Sequence, residues 1–375
     1  MITIRQINSK KDFKKFVKFP AWLYRDNPYY VPPFEQDELD LTNPKKNACF
    51  EESEAAYFLA EDENGRVVGR IAGIISHAYN QKNNSKRARF SRFECIDNKE
   101  VADKLLKAAE DWAKEKGMDS IHGPLGFNDL EREGLMVEGF DTMGCYLTSY
   151  NMPYYQKFIE DNGYTPDARW VEWRIGVPEK QNDRVVKVAD MVAKRYGFYE
   201  KQFKTSGEII DKYGMQFFTL LDECYKDIYG TIPFNEKLVK QTIKSFKLII
   251  DKKYVSLIFN KEDELIGFGI GFPSLAKALN KSKGRYLPFG IFRLLHAIKH
   301  PKVLELGLIA VKPEYQKQGV TALIIKNMLG RMIENKIQYC DTGCQLEDNL
   351  PAIAALDMFD RDLIRRKTCY IKELK

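Results

Sequence analysis

The hydrophobic pattern changes period repeatedly along the chain. Residues 1–7, MITIRQI, alternate apolar and polar side chains, the period of a half-buried strand. Residues 12–26 carry apolar groups at helical spacing. The stretch 27–41, NPYYVPPFEQDELDL, is expected to be irregular, because its prolines remove backbone donors. Residues 55–76 read as two strands joined by a turn at 62–65, and 88–96 as a third. Asn98 is placed to cap a helix over 99–117 that Gly117 closes. A strand over 119–127, a short helix over 152–163 and a strand over 167–177 complete the first half.

The second half repeats that order. Helical spacing covers 208–246. Strands at 253–260 and 264–272 form a hairpin around 261–264, and a strand follows at 303–311. A helix over 321–336, a strand over 337–344, a helix over 349–359 and a strand over 365–374 end the chain. YFLAEDENGRVVGRIAG at 57–73 aligns with 254–271, and the YNMPYYQKFIEDNGY stretch aligns with 349–360. The chain therefore reads as a duplication of one unit of about 150–180 residues, a single domain's size. The units are 1–180 and 181–375, joined through the charged segment 177–197.

Composition narrows the chemistry only slightly. Basic residues number 59 and acidic residues 53, a net charge of +6 spread along the chain. No concentrated basic stripe suggests nucleic acid, and none is expected as a partner. The seven cysteines are scattered without a CxxC, as for free thiols in a reducing cytoplasm. The polar N-terminus is not a signal peptide, and no run of about 18 apolar residues spans a membrane. His296 and His300 are four residues apart with no third ligand nearby, so no metal site is expected.

The informative stretch is VLELGLIAVKPEYQKQGVTALIIKNML, residues 303–329. An apolar strand ends at Val311, Pro313 stops its ladder, and PEYQKQG turns the chain. Gly319 is free to take a positive φ before a helix begins near Val320. Such a strand, loop and helix present unpaired backbone N–H groups at the positive end of a helix dipole, a site for a pyrophosphate. Lys317 stands close by. A Glu inside this strand, Glu305, is unexpected. Burial would raise its pKa toward neutrality. The alternative is a strand-end carboxylate that reaches solvent or an Arg or Lys.

This stretch resembles the coenzyme A-binding motif of GNAT acyltransferases, whose loop reads Gln or Arg, two residues, Gly, one residue, then Gly or Ala. Gln316 and Gly319 fit the pattern. Thr321 departs from it and is followed by Ala322. The resemblance extends over nearly the whole chain to bacterial tandem GNAT-related proteins. It implies an α/β fold (α+β, mixed sheet) of two tandem GNAT-like units, each a mixed, mostly antiparallel sheet flanked by helices. It further implies an acyl-CoA-dependent N-acyltransferase taking acetyl-CoA or a longer acyl-CoA. The pantetheine arm would lie along Leu308, Ile309, Ala310 and Val311 on a splayed strand. The phosphates would meet Gln316, Lys317, Gln318, Gly319, Val320, Thr321 and Ala322. Some family members place a general base eleven residues before the loop Gln, the position of Glu305 (316 − 305 = 11). The family's acid, a Tyr seven residues after an Asn, would fall from Asn349 on Leu356, so it is missing here. Tyr339, Tyr370 or a water is left to replace it, and Asn349 and Tyr339 are the candidate substrate residues.

The first half lacks the Q-x-x-G loop and is not expected to bind coenzyme A; a structural role or a wall of the substrate cleft is expected. Its segment GPLGFNDLEREGLMVEGFD carries Asp129, Glu131, Glu133, Glu138 and Asp141, either a recogniser of a cationic amine or a solvated loop. In the second half, residues 275–302 form a basic, aromatic insertion. FGIFRLLHAIKH within it has helical spacing and reads either as a helix packed on the core or as a contact with a membrane surface. The acceptor is then a small-molecule or lipid amine, the latter of sphingoid-base type. The expected location is the cytoplasm, peripheral on the inner membrane face in the lipid case. A non-catalytic binding protein of the same fold is the remaining alternative. Transfer from aminoacyl-tRNA is disfavoured by the PEYQKQG loop, which that chemistry does not need.

Overall fold

The structure is a computed structural model describing residues 1–247 and 249–375. In chain order the first half forms β1 (Thr3–Gln6), α1 (Lys10–Leu23), α2 (Glu35–Leu41), β2 (Ser53–Glu61), β3 (Val67–Ser76) and α3 (His77–Asn83). It continues with β4 (Arg87–Cys95), α4 (Lys99–Glu115), β5 (Ser120–Gly123), β6 (Leu135–Glu138), α5 (Tyr154–Asp161) and β7 (Thr165–Gly176). The second half forms α6 (Asp183–Tyr196), β8 (Tyr199–Glu200), α7 (Ser206–Tyr225), α8 (Glu236–Phe246), β9 (Val255–Phe259), β10 (Leu265–Pro273) and α9 (Ala276–Ser282). It ends with α10 (Gly290–Lys299), β11 (Val303–Val311), α11 (Val320–Glu334), β12 (Tyr339–Thr342), β13 (Gln345–Leu346), α12 (Leu350–Ala354) and β14 (Arg361–Glu373).

Local chemistry explains most boundaries. Ser9, Asn98, Asn182, Thr205 and Asn235 each accept a hydrogen bond from the first turn of the helix they open. Those helices are α1, α4, α6, α7 and α8. Two sequence expectations are corrected. Residues 35–41 form a helix, because Pro32 and Pro33 precede its first turn and cost it no hydrogen bond. The helix expected over 349–359 is only α12, followed by turns.

All strands join one sheet, ordered β1-β2-β3-β4-β5-β14-β7-β12-β11-β10-β9-β8, with β6 on β14 and β13 on β7. The order reads the same from both ends once β14 and β7 are exchanged. β4 and β5 pair in parallel, as do β11 and β12, while the strands outside them are antiparallel. The duplication is thus visible in the sheet. The first half's last strand, β7, pairs with β12 of the second half. The second half's last strand, β14, pairs with β5 of the first. The sheet runs across the expected boundary between 1–180 and 181–375, and the two exchanged strands lie side by side at its centre. Separate cores flank the sheet. One gathers α4 and α5 on the first half, and another gathers α7 and α8 on the second.

The central seam carries buried charge. Glu172 on β7 stands opposite Arg365 on β14. Arg365 Nε donates to Glu172 Oε2 at 2.5 Å, and Lys367 Nζ lies 2.8 Å from Oε1. All three side chains are buried. Burial alone would raise the Glu172 carboxyl, but Lys367 and Arg365 outweigh it and hold it at about 2. Because the folded value lies below the ordinary 4.5, Glu172 contributes stability above that value and loses it as pH falls through about 2. Glu172→Gln leaves two buried cations without their counter-ion. We expect it to cost about 3–5 kcal/mol near pH 7, read as a lower denaturant midpoint, with the deficit shrinking toward acid pH.

Candidate active site

The site is built on β11 and the loop after it. β11 pairs with β12 only from Val303 to Leu306, opposite Tyr339 to Thr342. Beyond that point the neighbours part, and β13 follows β7 instead. A register shift opposite Ile270 and Gly271 drops Gly307 from the β10 ladder at the same place. Past the shift, Leu308 and Ala310 face the core beneath α7. Ile309 and Val311 turn their carbonyls to the open side, where Ile309 O accepts from Tyr225 Oη at 3.0 Å and Val311 O from Cys224 Sγ at 3.4 Å. In an antiparallel strand a residue's N–H points with its C=O, so with both carbonyls taken the N–H groups of Ile309 and Val311 are what the splay offers. Of the four strand residues expected to line a pantetheine arm, these two turn their backbone groups away from β10.

The loop is compact. Residues Pro313–Gln318 form a 3-10 turn, Gln316 Nε2 reaches back to Val311 O, and Gly319 takes φ +80 before α11 begins. Among the described helices longer than ten residues, α11 is the one with no side-chain cap. Its first N–H groups are left for another acceptor, and the helix dipole favours an anion there. Lys317 is exposed beside them and has no ion pair among the described residues, whereas Lys312 is held by Glu264 and Glu314. Val320 is buried, Thr321 and Ala322 half-buried. The charged segment 183–196 is helix α6, packed on α11 so that Val192 covers Gly319. A Cβ added at Gly319 would come within 2.7 Å of Val192 Cγ2. The first half has no such loop: only Ile96 to Asn98 separate β4 from α4.

Glu305 is buried, 2% exposed, and faces the first half. Its Oε2 accepts from Tyr146 N at 2.9 Å and Leu147 N at 3.3 Å, and its Oε1 from Ser274 Oγ at 2.8 Å. A carboxylate has about four acceptor sites, so three donors leave one open, on Oε1. Burial pushes its carboxyl up to about 7, against the pull of those hydrogen bonds and with nearby Asp341 adding to the rise. The Tyr146 segment is tied to the seam, because Arg365 donates to Met143 O at 2.6 Å and Thr148 reaches Glu172.

Tyr339 and Asn349 stand elsewhere. Tyr339 lies at the paired end of β12, with the Arg174 guanidinium 4.2 Å over its ring. Asn349 caps α12 by accepting from Ala352 N. The structure brings neither Tyr339 nor Tyr370 to the splay; Tyr370 is buried opposite Gly123 on β5. It brings Tyr225 instead, from the last turn of α7. No motif marks Tyr225, whose position depends on how α7 crosses β11.

The acidic segment of the first half divides: Asp129, Glu131 and Glu133 are packed, while Glu138 and Asp141 are exposed. Glu131 pairs with Arg92 and Glu138 with Arg366. Asp129 and Glu133 form no ion pair among the described residues, and burial pushes Asp129 up to about 6 and Glu133 well above the usual carboxylate range. Asp129 lies near enough to Tyr225 to add to the rise of its hydroxyl. Glu133 lies behind Gly230 at the edge of a cleft of about 800 Å³ between the halves. Tyr79, Arg169, Lys226 and Tyr229 line that cleft.

A parted parallel strand pair and an uncapped helix behind a tight loop are the features that the resemblance in the sequence implies, and a buried carboxylate stands on the same strand. Residues 215–358 match the acetyltransferase (GNAT) family. Protein YghO of Escherichia coli (strain K12) is 25% identical over 99% of this chain and 95% of its own length. The bacterial ceramide synthase of Caulobacter vibrioides is 28% identical over 84% of this chain and 82% of its own. A tandem GNAT protein from the clavulanic acid biosynthesis pathway superposes with a TM-score of 0.58 over 100% of this chain and 99% of that one, at 11% identity. A GCN5-related N-acetyltransferase from Sphaerobacter thermophilus gives 0.54, over 100% and 96%, at 10%. The match to the GNAT family lies in the C-terminal half, and the whole chain has the tandem GNAT fold.

Proposed function

We propose that this protein is an N-acyltransferase that moves an acyl group from acyl-CoA to a primary amine, with Glu305 as general base. The observation that carries this reading is the buried Glu305 carboxylate, with one open acceptor site, on the strand that parts from its neighbour. Ile309 and Val311 hold the pantetheine arm through their backbone N–H groups. The N-terminal turn of α11, with Lys317, receives the pyrophosphate. Glu305 takes a proton from the acceptor ammonium, and the freed amine attacks the thioester carbonyl. Tyr225 donates its proton toward the departing thiolate, filling the role that Leu356 leaves empty. Asp129, ionised above about pH 6, places negative charge near Tyr225 for the incoming ammonium.

A second reading narrows the first to long-chain acyl transfer onto a lipid amine of sphingoid-base type. The similarity to a protein named bacterial ceramide synthase supports it. Calorimetric titration with acetyl-CoA and palmitoyl-CoA separates the readings. Tight binding of palmitoyl-CoA alone favours the lipid amine, equal binding favours a small amine, and no binding of either removes the enzyme reading.

The base must be ionised to act. We expect kcat/KM to rise with pH through an apparent pKa of about 7, the value to which burial raises Glu305. Glu305→Gln is expected to lower turnover about 10²–10⁴-fold and to remove that limb while leaving acyl-CoA affinity intact. An unchanged profile would leave Glu305 only its bonds to Tyr146, Leu147 and Ser274.

Gly319→Val combines a φ that L residues rarely adopt with the clash against Val192. Loss of acyl-CoA binding is expected in a variant whose circular dichroism is unchanged. Retained affinity would place the phosphate site elsewhere.

A further inference from the structure

The insertion between β10 and β11 folds as a fixed helical hairpin. Asn280 Nδ2 donates to Tyr30 O at 2.8 Å, and Glu35 N donates to Gly284 O at 3.0 Å. Tyr286 stacks on Phe34 with centroids 4.7 Å apart. Gly290 lets α10 close on the preceding turn, where an added Cβ would strike Arg285 O. Leu294 is buried and anchors α10 to the core.

The outer side is apolar and unpartnered. Leu287 is 76% exposed, Phe289 65%, Phe292 68% and Leu295 47%. Four large apolar side chains within nine positions form a patch, unlike the scattered exposed residues usual on a soluble surface. Around them, residues 275–302 hold five lysines, two arginines and no Asp or Glu. At the chain's average of 53 acidic residues in 375, these 28 positions would hold about four (53/375 × 28). Only Arg285 has an acidic partner, Glu35, among the described residues. Arg293 donates to Lys281 O, so its charge stays uncompensated.

We propose that this hairpin seats the protein on an anionic phospholipid bilayer. Phe and Leu side chains flanked by Lys and Arg match an interface with apolar chains beneath acidic headgroups. The absence of acids removes the groups such a surface would repel. Ser274, which holds Glu305, directly precedes the hairpin, and Phe34 links Tyr286 to Tyr146 through ring contacts. A bilayer under α10 would therefore lie next to elements that position the candidate base. Among the described residues no helix is long and apolar enough to cross a membrane, so the contact is peripheral.

Vesicle co-sedimentation of the full chain tests this without any need for turnover, so its failure and that of the acyltransferase reading are distinguishable. Binding is expected to vesicles of phosphatidylcholine with phosphatidylglycerol, to be much weaker on phosphatidylcholine alone, and to fall in high salt. The double variant Phe289→Ser and Phe292→Ser is expected to bind at least about ten-fold more weakly. Arg293→Glu with Lys299→Glu, at two surface positions, is expected to abolish the preference for anionic vesicles. No binding by the wild type, or binding that neither variant changes, would overturn the proposal. So would a dimer in solution that the Phe variants dissociate, because a second copy would then cover this face.

Discussion

The ion cluster of Glu172, Arg365 and Lys367 sets the geometry of the rest. It lies where the exchanged strands meet and where neither half can complete its sheet alone. Buried ion pairs contribute little net stability over apolar residues of the same size, because desolvation offsets attraction. Their strength is in register. Sliding β14 by one residue against β7 would turn Arg365 and Lys367 to the opposite face and leave Glu172 without either. The same Arg365 holds Met143 O, and Glu172 receives Thr148. The segment between them presents the N–H groups of Tyr146 and Leu147 to Glu305. The register of the seam thus fixes the position of the candidate base.

Much of this was legible in the sequence because it is local. Periodicity located the longer strands and helices and missed the short β6, β8 and β13. Asn98 caps α4, and Gly319 takes the positive φ that the loop requires. The spacing from Gln316 found Glu305, and the unexpected carboxylate in an apolar strand was itself the signal. What stayed hidden is non-local. Nothing in the alternation of β7 or β14 says whose edge each will join, since either neighbour satisfies an apolar, antiparallel strand equally. The donors to Glu305 lie 159 and 158 residues away along the chain. Tyr225 carries no motif, and its place on Ile309 O follows from packing of α7. Helix α2 was misread because prolines mark disorder of the ladder without saying on which side a helix resumes.

The insertion shows the same division. Its basic, aromatic composition was evident, and so was the helical spacing of FGIFRLLHAIKH. Spacing alone leaves open which side meets the protein. Leu294 buried and Phe292 exposed resolve it, so the helix both packs on the core and presents a second apolar face outward. The two readings of that segment are therefore compatible, one for each side of α10.

The duplicated sheet also explains why a half without a cofactor loop persists. Arg89 on β4 occupies the position that Glu305 holds on β11, each the third residue of its parallel pairing. Arg89 donates to Gly230 O of the second half at 2.8 Å, and to Gly126 O and Phe127 O of its own. Glu305 accepts from Tyr146 and Leu147 of the first half. Each unit thus uses the same strand position to grip a loop of the other, one with a cation on carbonyls, the other with a carboxylate on N–H groups. In the first half the matching strand end is filled on its N–H as well as its carbonyl: Cys95 N donates to Tyr155 Oη at 2.8 Å, and the Tyr154 and Tyr155 hydroxyls donate to Cys95 O at 2.7 and 2.8 Å. With those groups taken and no loop before α4, the first half lacks the arrangement that marks the candidate site of the second. Its contribution is the buried, hydrogen-bonded setting of Glu305, which the second half cannot assemble from its own backbone.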